Sequence, residues 1–198
     1  IAPNAIKNLV WNSKRIASGS TYRTEDEQEL CSSPDRWFRP VYGGVGPDGA
    51  VYLADWYDTR LSHASPVDDW HKESGRIYRI FPTGTRPRYK LGDLHTRPIG
   101  ELIALFEDAN KWVRWRAVLE LGWRGDHSIV AELEKRVDEQ QALEALWALG
   151  MLEQLDGLRA TRWLSSDSAA IRRWVVRLLG DHHRDLDALV DLAAREDD

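Results

Sequence analysis

Cysteine is almost absent from this chain, since Cys31 is the only one among 198 residues. A single cysteine cannot form an internal disulfide, and no Cys-x-x-Cys-His sequence is present to attach a c-type haem. We therefore expect Cys31 to be either a small, half-buried residue or a reactive thiol. No GxxxxGK[ST] sequence occurs, and the chain contains no cysteine cluster that could hold a cofactor.

Long hydrophobic runs are missing as well. No stretch of about 18 apolar residues occurs, so the sequence predicts no membrane-spanning helix. The first residues, Ile1-Ala2-Pro3-Asn4, contain neither an initiator methionine nor the basic and apolar regions of a signal peptide. We expect a chain that has been processed, truncated or excised.

The second half of the chain lacks basic charge. Residues 1–90 contain 13 Lys and Arg against 11 Asp and Glu, whereas residues 91–198 contain 14 against 21, a net charge of −7. Phosphate binding requires a concentrated basic face. The sequence therefore argues against a nucleic acid as the partner of the second half.

One stretch in the first half, GPDGAVYLADWYD at residues 46–58, has a clear structural pattern. The tetrapeptide Gly46-Pro47-Asp48-Gly49 predicts a tight turn, because proline presets its own φ and glycine accepts a positive φ. The residues that follow, Val51 to Leu53, predict a strand that delivers Asp55 and Asp58 to a loop. Binding and catalytic residues are often found on such loops.

The loop from Thr59 to Gly75 is long, which indicates that it is either functional or disordered. It contains Arg60, His63 and His71. A further strand is predicted from Arg76 to Phe81, where apolar and polar residues alternate.

Two interpretations of the polar residues around this loop remain open. In the first, Asp55, Asp58, Arg60 and Arg76 bind a ligand, with the two carboxylates holding a hard cation such as calcium. His63 would then be the catalytic residue, a general base that removes a proton during alcohol oxidation. In the second, Asp55 only turns the loop and forms an ion pair with Arg76.

Beyond Pro98 the hydrophobic period changes from 2 to 3.6, which predicts helices. The segments VRWRAVLELG (113–122), QALEALWALG (141–150) and IRRWVVRLLG (171–180) align without gaps and form an internal repeat. We expect the final glycine of each segment to cap its helix in the left-handed conformation. Helix pairs of this kind predict an α-solenoid of HEAT-like units. The predicted helices are 99–107, 111–122, 129–137, 140–152, 158–164, 169–179 and 186–195.

The helical half is rich in tryptophan and arginine, and each set has two interpretations. The tryptophans form the core between helices or an aromatic docking surface. The arginines form ion pairs on the surface or a groove for an acidic partner. The tryptophans are Trp112, Trp115, Trp123, Trp147, Trp163 and Trp174, and the arginines are Arg114, Arg116, Arg172, Arg173 and Arg177.

The strings WFRP (37–40), PDGAVYLADWY (47–57) and GRIYRI (75–80) occur in that order. In this order they resemble secreted proteins of planctomycete and verrucomicrobial bacteria that are described as membrane-bound dehydrogenases. In that family a sugar-dehydrogenase-like β-propeller precedes HEAT-type repeats, and a c-type cytochrome domain often follows. The resemblance implies that residues 1–90 are the end of a β-propeller and that residues 91–198 are HEAT-like or armadillo-type repeats.

The resemblance also implies a function. The chain would be a segment of a periplasmic or secreted oxidoreductase similar to glucose and sorbosone dehydrogenases, and it would not be catalytic by itself. Calcium and pyrroloquinoline quinone are the implied cofactors, and electrons would pass to a c-type haem on a cytochrome domain or protein outside this chain. About 90 residues supply at most two blades, so the remaining blades or a partner chain would complete the propeller. The alternative is a non-catalytic scaffold that binds a protein or a glycan.

Overall fold

The computed structural model describes residues 1–18, 21–59, 67, 71–86, 88–140, 142–182 and 186–194. The chain forms two compact units, Ile1–Lys90 and Leu91–Asp197. Strands occupy the first unit and helices the second, so β structure precedes α structure in the predicted order.

The first unit contains two antiparallel sheets of three strands each, in the orders β1-β2-β3 and β4-β5-β6. Its buried apolar core is small and consists of Val10, Phe38 and Leu53, with Tyr78 and Ile80 packed against them. Cys31 also lies beside this core and is half-buried, and burial raises the pKa of its thiol. The strands are β1 Ala2–Asn4, β2 Leu9–Ser18, β3 Thr21–Ser32, β4 Pro40–Val45, β5 Val51–Asp55 and β6 Arg76–Ile80.

The prediction of a partial β-propeller is wrong. A propeller blade has four strands, whereas both sheets described here have three and neither is closed. Strands β2 and β3 form a long hairpin instead, and residues 21–29 of β3 are exposed throughout. Because this segment contains four carboxylates, it is poorly suited to pairing with a further strand.

The predicted turn at residues 46–49 is present. The Gly49 amide donates to the Gly46 carbonyl at 3.1 Å, and Gly49 has a φ of 81°. The Asp48 carboxylate accepts hydrogen bonds from the Ala50 amide at 3.0 Å, the Tyr52 hydroxyl at 3.0 Å and Arg79 Nε at 2.8 Å. These bonds connect the turn to β5 and to β6.

In the part of the second unit that the structure describes, seven helices surround one apolar core, which includes Leu102, Leu121, Leu146 and Leu179. Of the helices described, none combines the length and hydrophobicity that crossing a membrane requires. The helices are α1 Ile99–Ala104, α2 Lys111–Arg124, α3 Val130–Gln140, α4 Leu143–Met151, α5 Gly157–Leu164, α6 Ala169–Asp181 and α7 Leu186–Ala193.

The prediction of an α-solenoid of HEAT-like pairs is also wrong. The helices differ widely in length: α1 has 6 residues and α2 has 14, whereas α5 has 8 and α6 has 13. The spacing of about 30 residues is shorter than the roughly 40 residues of a HEAT unit. The structure shows a packed helical unit without a regular array of equal repeats.

The repeated glycines are not left-handed caps. Gly122, Gly150 and Gly180 lie inside α2, α4 and α6, and none has a positive φ. The cap of α2 is Gly125, with a φ of 63°. A β-carbon on Gly122 would lie 2.6 Å from Met151 Cε, and one on Gly150 would lie 3.0 Å from Leu178 Cδ2. Because these two glycines have no side chain, Met151 can pack against Gly122 and Leu178 can pack against Gly150.

The side chain of Glu120 is a buried charge in α2 that the hydrophobic pattern does not predict. Its carboxylate accepts hydrogen bonds from Arg124 Nε at 3.0 Å and contacts His95 Nδ1 at 2.9 Å. Arg124 also donates to the carbonyls of Leu94, His95 and Arg97. This network holds the first turn of the second unit against α2.

Replacing Gly122 with alanine should destabilise the second unit. Alanine improves helix propensity by about 1 kcal/mol, but its β-carbon would also lie 2.7 Å from Met151 Cβ, which cannot rotate away. Overpacking of this kind costs about 1–3 kcal/mol. The free energy of unfolding, measured in urea, should therefore fall in the Gly122→Ala variant.

Gly180→Ala provides the matched control, because a β-carbon at Gly180 meets no atom within 4 Å. This variant should gain up to about 1 kcal/mol from helix propensity. Equal effects of the two substitutions would contradict the packing role assigned to Gly122.

Acid should weaken the turn at Asp48. Burial raises the pKa of its carboxyl, but the hydrogen bonds from Ala50, Arg79 and Tyr52 outweigh that effect and hold the pKa below its usual value. A lowered pKa contributes stability above the ordinary value of about 3.9, and this contribution is lost as the pH falls through the folded value. The difference in unfolding free energy between wild type and Asp48→Asn should therefore narrow below about pH 4. A constant difference down to lower pH would contradict this assignment.

Candidate functional site

Strand β5 ends at Asp55, whose side chain is only 4% exposed. Its Oδ1 accepts hydrogen bonds from the Arg39 amide at 2.6 Å and from the Tyr57 amide at 3.0 Å. Its Oδ2 is buried and has no hydrogen-bond partner among the residues that the structure describes. Asp55 therefore turns the chain after β5, as the second interpretation of the sequence expects.

Asp58 lies three residues further on and is 1% exposed. Its Oδ2 accepts a hydrogen bond from the His71 amide at 3.0 Å. Its main-chain carbonyl accepts one from Arg39 Nε at 3.1 Å. The hydrogen bond between Asp58 and His71 thus connects the start of the long loop to the segment that precedes β6.

Arg39 connects the parts of this site. Besides its bonds to Asp55 and Asp58, its Nη1 donates to the Ala5 carbonyl at 2.9 Å. Its own carbonyl accepts from the Trp56 amide at 2.9 Å. The sequence does not predict a role for Arg39, which lies in the WFRP string. Its side chain donates to main-chain carbonyls, and no pattern of side chains reveals such partners.

Four side chains form what we call the strand-end cluster: Trp37, Tyr57, His71 and Arg76. The ring centroid of Trp37 lies 4.1 Å from that of His71 and 5.6 Å from that of Tyr57. The Arg76 guanidinium carbon lies 3.4 Å from the centroid of the Tyr57 ring. The cluster is therefore a continuous group of aromatic rings and one cation.

The backbone at Tyr57 is in a conformation that bulky residues rarely adopt. Its φ is 47°, in the left-handed region. The Asp55 carboxylate maintains this conformation by accepting the Tyr57 amide. Such strain is most common at binding and catalytic sites, where the surrounding structure holds the residue in place.

The ion pair expected between Asp55 and Arg76 is not formed, although the two residues lie opposite each other in the β5–β6 register. Arg76 contacts the Tyr57 ring and donates to the Tyr78 hydroxyl at 3.4 Å. Hydrogen bonds to the hydroxyls of Tyr78 and Tyr57 raise the pKa of its guanidinium. Arg76 is thus a charged member of the cluster and does not neutralise Asp55.

Two residues of the predicted site, Arg60 and His63, lie outside the described residues, so their proposed ligand-binding and catalytic roles stay predictions. Within the described part of the chain, no group of three or more His, Cys, Asp or Glu side chains is placed to hold a metal ion. Calcium takes six to eight oxygen ligands, whereas Asp55 Oδ1 and Asp58 Oδ2 already accept backbone amides. The described residues alone therefore supply too few ligands for calcium, and the cation site at Asp55 and Asp58 stays a prediction.

Comparison with known family models gives a match to the first part of the chain. The model of a domain of unknown function, DUF7133, matches residues 1–84. The match includes all four residues of the strand-end cluster and ends within the first unit. No curated protein and no solved structure matches the chain.

Asp55→Ala should destabilise the first unit, because the amides of Arg39 and Tyr57 would lose their acceptor. Each unpaired, buried donor costs about 1–3 kcal/mol, so the loss of an acceptor for two donors should cost about 2–6 kcal/mol. The measurement is urea unfolding followed by circular dichroism.

Asp55→Asn is the matched control, since the amide side chain retains an acceptor oxygen for both donors. We expect its free energy of unfolding to stay within about 1 kcal/mol of the wild-type value. If Asp55→Ala were as stable as wild type, Asp55 would have no role in holding the loop.

Proposed function

We propose that the chain is part of a periplasmic or secreted oxidoreductase that acts on sugars or related polyols, and that the strand-end cluster helps to bind the substrate. The observation that carries the proposal is the pair of close contacts, Trp37 with His71 and Tyr57 with Arg76, next in the chain to the buried carboxylates of Asp55 and Asp58. The redox chemistry belongs to a quinone and to a c-type haem, as in the family that the sequence resembles. No described residue is assigned to it.

The chemistry of the cluster suits a sugar. A sugar ring presents C–H groups on its faces and hydroxyl groups around its rim. Aromatic rings pack against the apolar faces, whereas imidazole and guanidinium groups form hydrogen bonds with hydroxyls. The cluster supplies both kinds of group within one small area, as ligand sites generally do.

The support beneath the cluster also favours a binding role. Asp55 and Asp58 hold the backbone on both sides of Tyr57 through hydrogen bonds to main-chain amides. A site that is already ordered loses less conformational entropy when a ligand binds. This support gives the two buried carboxylates after β5 a structural role in the site.

His71 is the histidine that the described structure brings to the site. Its ring is exposed and packs on Trp37, while its amide is held by Asp58. We assign it to hydrogen bonding with substrate hydroxyls. The general base remains the prediction made for His63.

A non-catalytic binding module is the second candidate. It is favoured by the engagement of Asp55 Oδ1 and Asp58 Oδ2 with backbone amides, which leaves these oxygens without a direct role in catalysis. The two candidates differ in one measurable property. Protein isolated from its native source should reduce an artificial electron acceptor when glucose is added if it is an oxidoreductase, whereas a binding module should bind glucose without reducing the acceptor.

Trp37→Ala should weaken sugar binding by about tenfold, which corresponds to the loss of one stacking contact. The measurement is a titration of the chain with D-glucose, sorbitol and cellobiose, followed by isothermal calorimetry. Trp123→Ala, which changes an exposed tryptophan of the second unit, is the control and should leave binding unchanged.

The proposal for the cluster fails if none of the three compounds binds at millimolar concentration. It also fails if Trp37→Ala and Trp123→Ala have the same effect, because the binding site would then lie elsewhere.

A further inference from the structure

Helix α2 is apolar on two opposite sides. Its inner side packs into the core of the second unit through Val113, Ala117 and Leu121. The other side contains Trp112, Trp115, Leu119 and Trp123, which follow the spacing of a helical stripe. A helix that is apolar all round is normally buried, yet Trp115 is 44% exposed and Trp123 is 61% exposed.

The row of tryptophans continues onto the neighbouring helices, where Trp147 and Trp174 are partly buried against the core of the second unit. The rings of Trp115 on α2 and Trp147 on α4 are 5.8 Å apart, and those of Trp147 and Trp174 on α6 are 4.9 Å apart. We call these residues together with Trp112, Leu119 and Trp123 the aromatic face. It crosses three helices and is the kind of exposed apolar patch that marks an interaction site.

The charge on the aromatic face is positive. The guanidinium carbon of Arg116 lies 5.8 Å from the centroid of the Trp112 ring and 5.0 Å from that of the Trp123 ring, and Arg116 forms no ion pair with any residue that the structure describes. On α6, the guanidinium carbon of Arg177 lies 6.0 Å from the centroid of the Trp174 ring. Its Nε forms a long ion pair with Asp181 Oδ2, at 3.6 Å. Other arginines nearby are already engaged, since Arg114 pairs with Glu144 at 2.8 Å.

This positive charge is notable because residues 91–198 have a net charge of −7. Arg116 is a cation between two indole rings, and no described carboxylate pairs with it, so it is complementary to an acidic group on a partner. Tryptophan and arginine are also the residues that contribute most to binding at protein interfaces.

The shape of the aromatic face favours a helix over a glycan. The planes of successive indoles in the row are inclined by 76° and 67°, close to an edge-to-face arrangement, so the surface is ridged. Ridges and grooves are the surface against which another helix packs. From Trp112 to Trp123 the stripe extends about 16 Å, which matches about three turns of a partner helix.

We propose that the aromatic face binds an acidic amphipathic helix of another protein. Apolar residues of that helix pack between the tryptophans, and its carboxylates pair with Arg116 and Arg177. This inference does not depend on the proposed sugar site, because it concerns different residues in a different unit.

The test uses two synthetic peptides with leucine at the spacing of an amphipathic helix. One has glutamate on its polar side and the other has lysine at the same positions. Titrated into the 198-residue chain and followed by tryptophan fluorescence, the acidic peptide should bind at least about tenfold more tightly than the basic one. Arg116→Glu should remove this preference, and Arg116→Gln should reduce it.

Trp123→Ala should weaken binding of the acidic peptide by about tenfold. Leu158→Ala is the matched control, because Leu158 is an apolar residue on α5 that is 86% exposed and lies outside the aromatic face. Circular dichroism and the urea midpoint of each variant separate lost binding from lost folding. Trp123→Phe, which retains an aromatic ring, should restore part of the affinity.

Three results would overturn the proposal. The first is that neither peptide binds, or that both bind equally and Arg116→Glu has no effect. The second is that a polyuronate competes for the site with the same dependence on Trp123, which would identify a glycan as the ligand. The third is that sedimentation shows self-association abolished by Trp123→Ala, which would identify a second copy of this chain.

Discussion

Arg39 makes the interactions on which the first unit depends. Its amide and side chain connect the turn after β1, the start of β4 and the loop after β5. Asn8 reinforces the same connection, since its side-chain amide donates to the carbonyl of Phe38. Hydrogen bonds to main-chain atoms thus hold these segments together, as a large apolar core does in other folds.

The need for this arrangement follows from the size of the two cores. Among the described residues, three buried apolar side chains form the core of the first unit, whereas 23 form that of the second. Burial of apolar surface is the dominant favourable contribution to folding. The second unit therefore has ample apolar burial for its own stability, while the first relies on Arg39, Asp55 and Asp58 to hold its loops.

The helices and the central turn could be predicted well from the sequence. Hydrophobic periodicity predicted all seven helices, and the ends of most differ by at most three residues from those observed. The turn at residues 46–49 and strand β5 were also predicted, because proline, glycine and β-branched residues determine local conformation strongly.

The assembly of these elements could not be predicted. The repeated Leu-Gly ending suggested helix caps, but Gly122 and Gly150 are small because Met151 and Leu178 pack against them. The strand-end cluster was missed for a similar reason. Trp37, Tyr57 and His71 are distant in sequence, and only hydrogen bonds to backbone amides bring them together.

The row formed by Trp115, Trp147 and Trp174 has a consequence for spectroscopy. Indole rings within 6 Å of each other and steeply inclined couple their electronic transitions, which gives paired bands of opposite sign in the ultraviolet circular dichroism spectrum. The sign and strength of these bands depend on the angle between the rings, and that angle is set by how α2, α4 and α6 pack. The protein thus contains its own optical reporter of helix packing, which needs no added label.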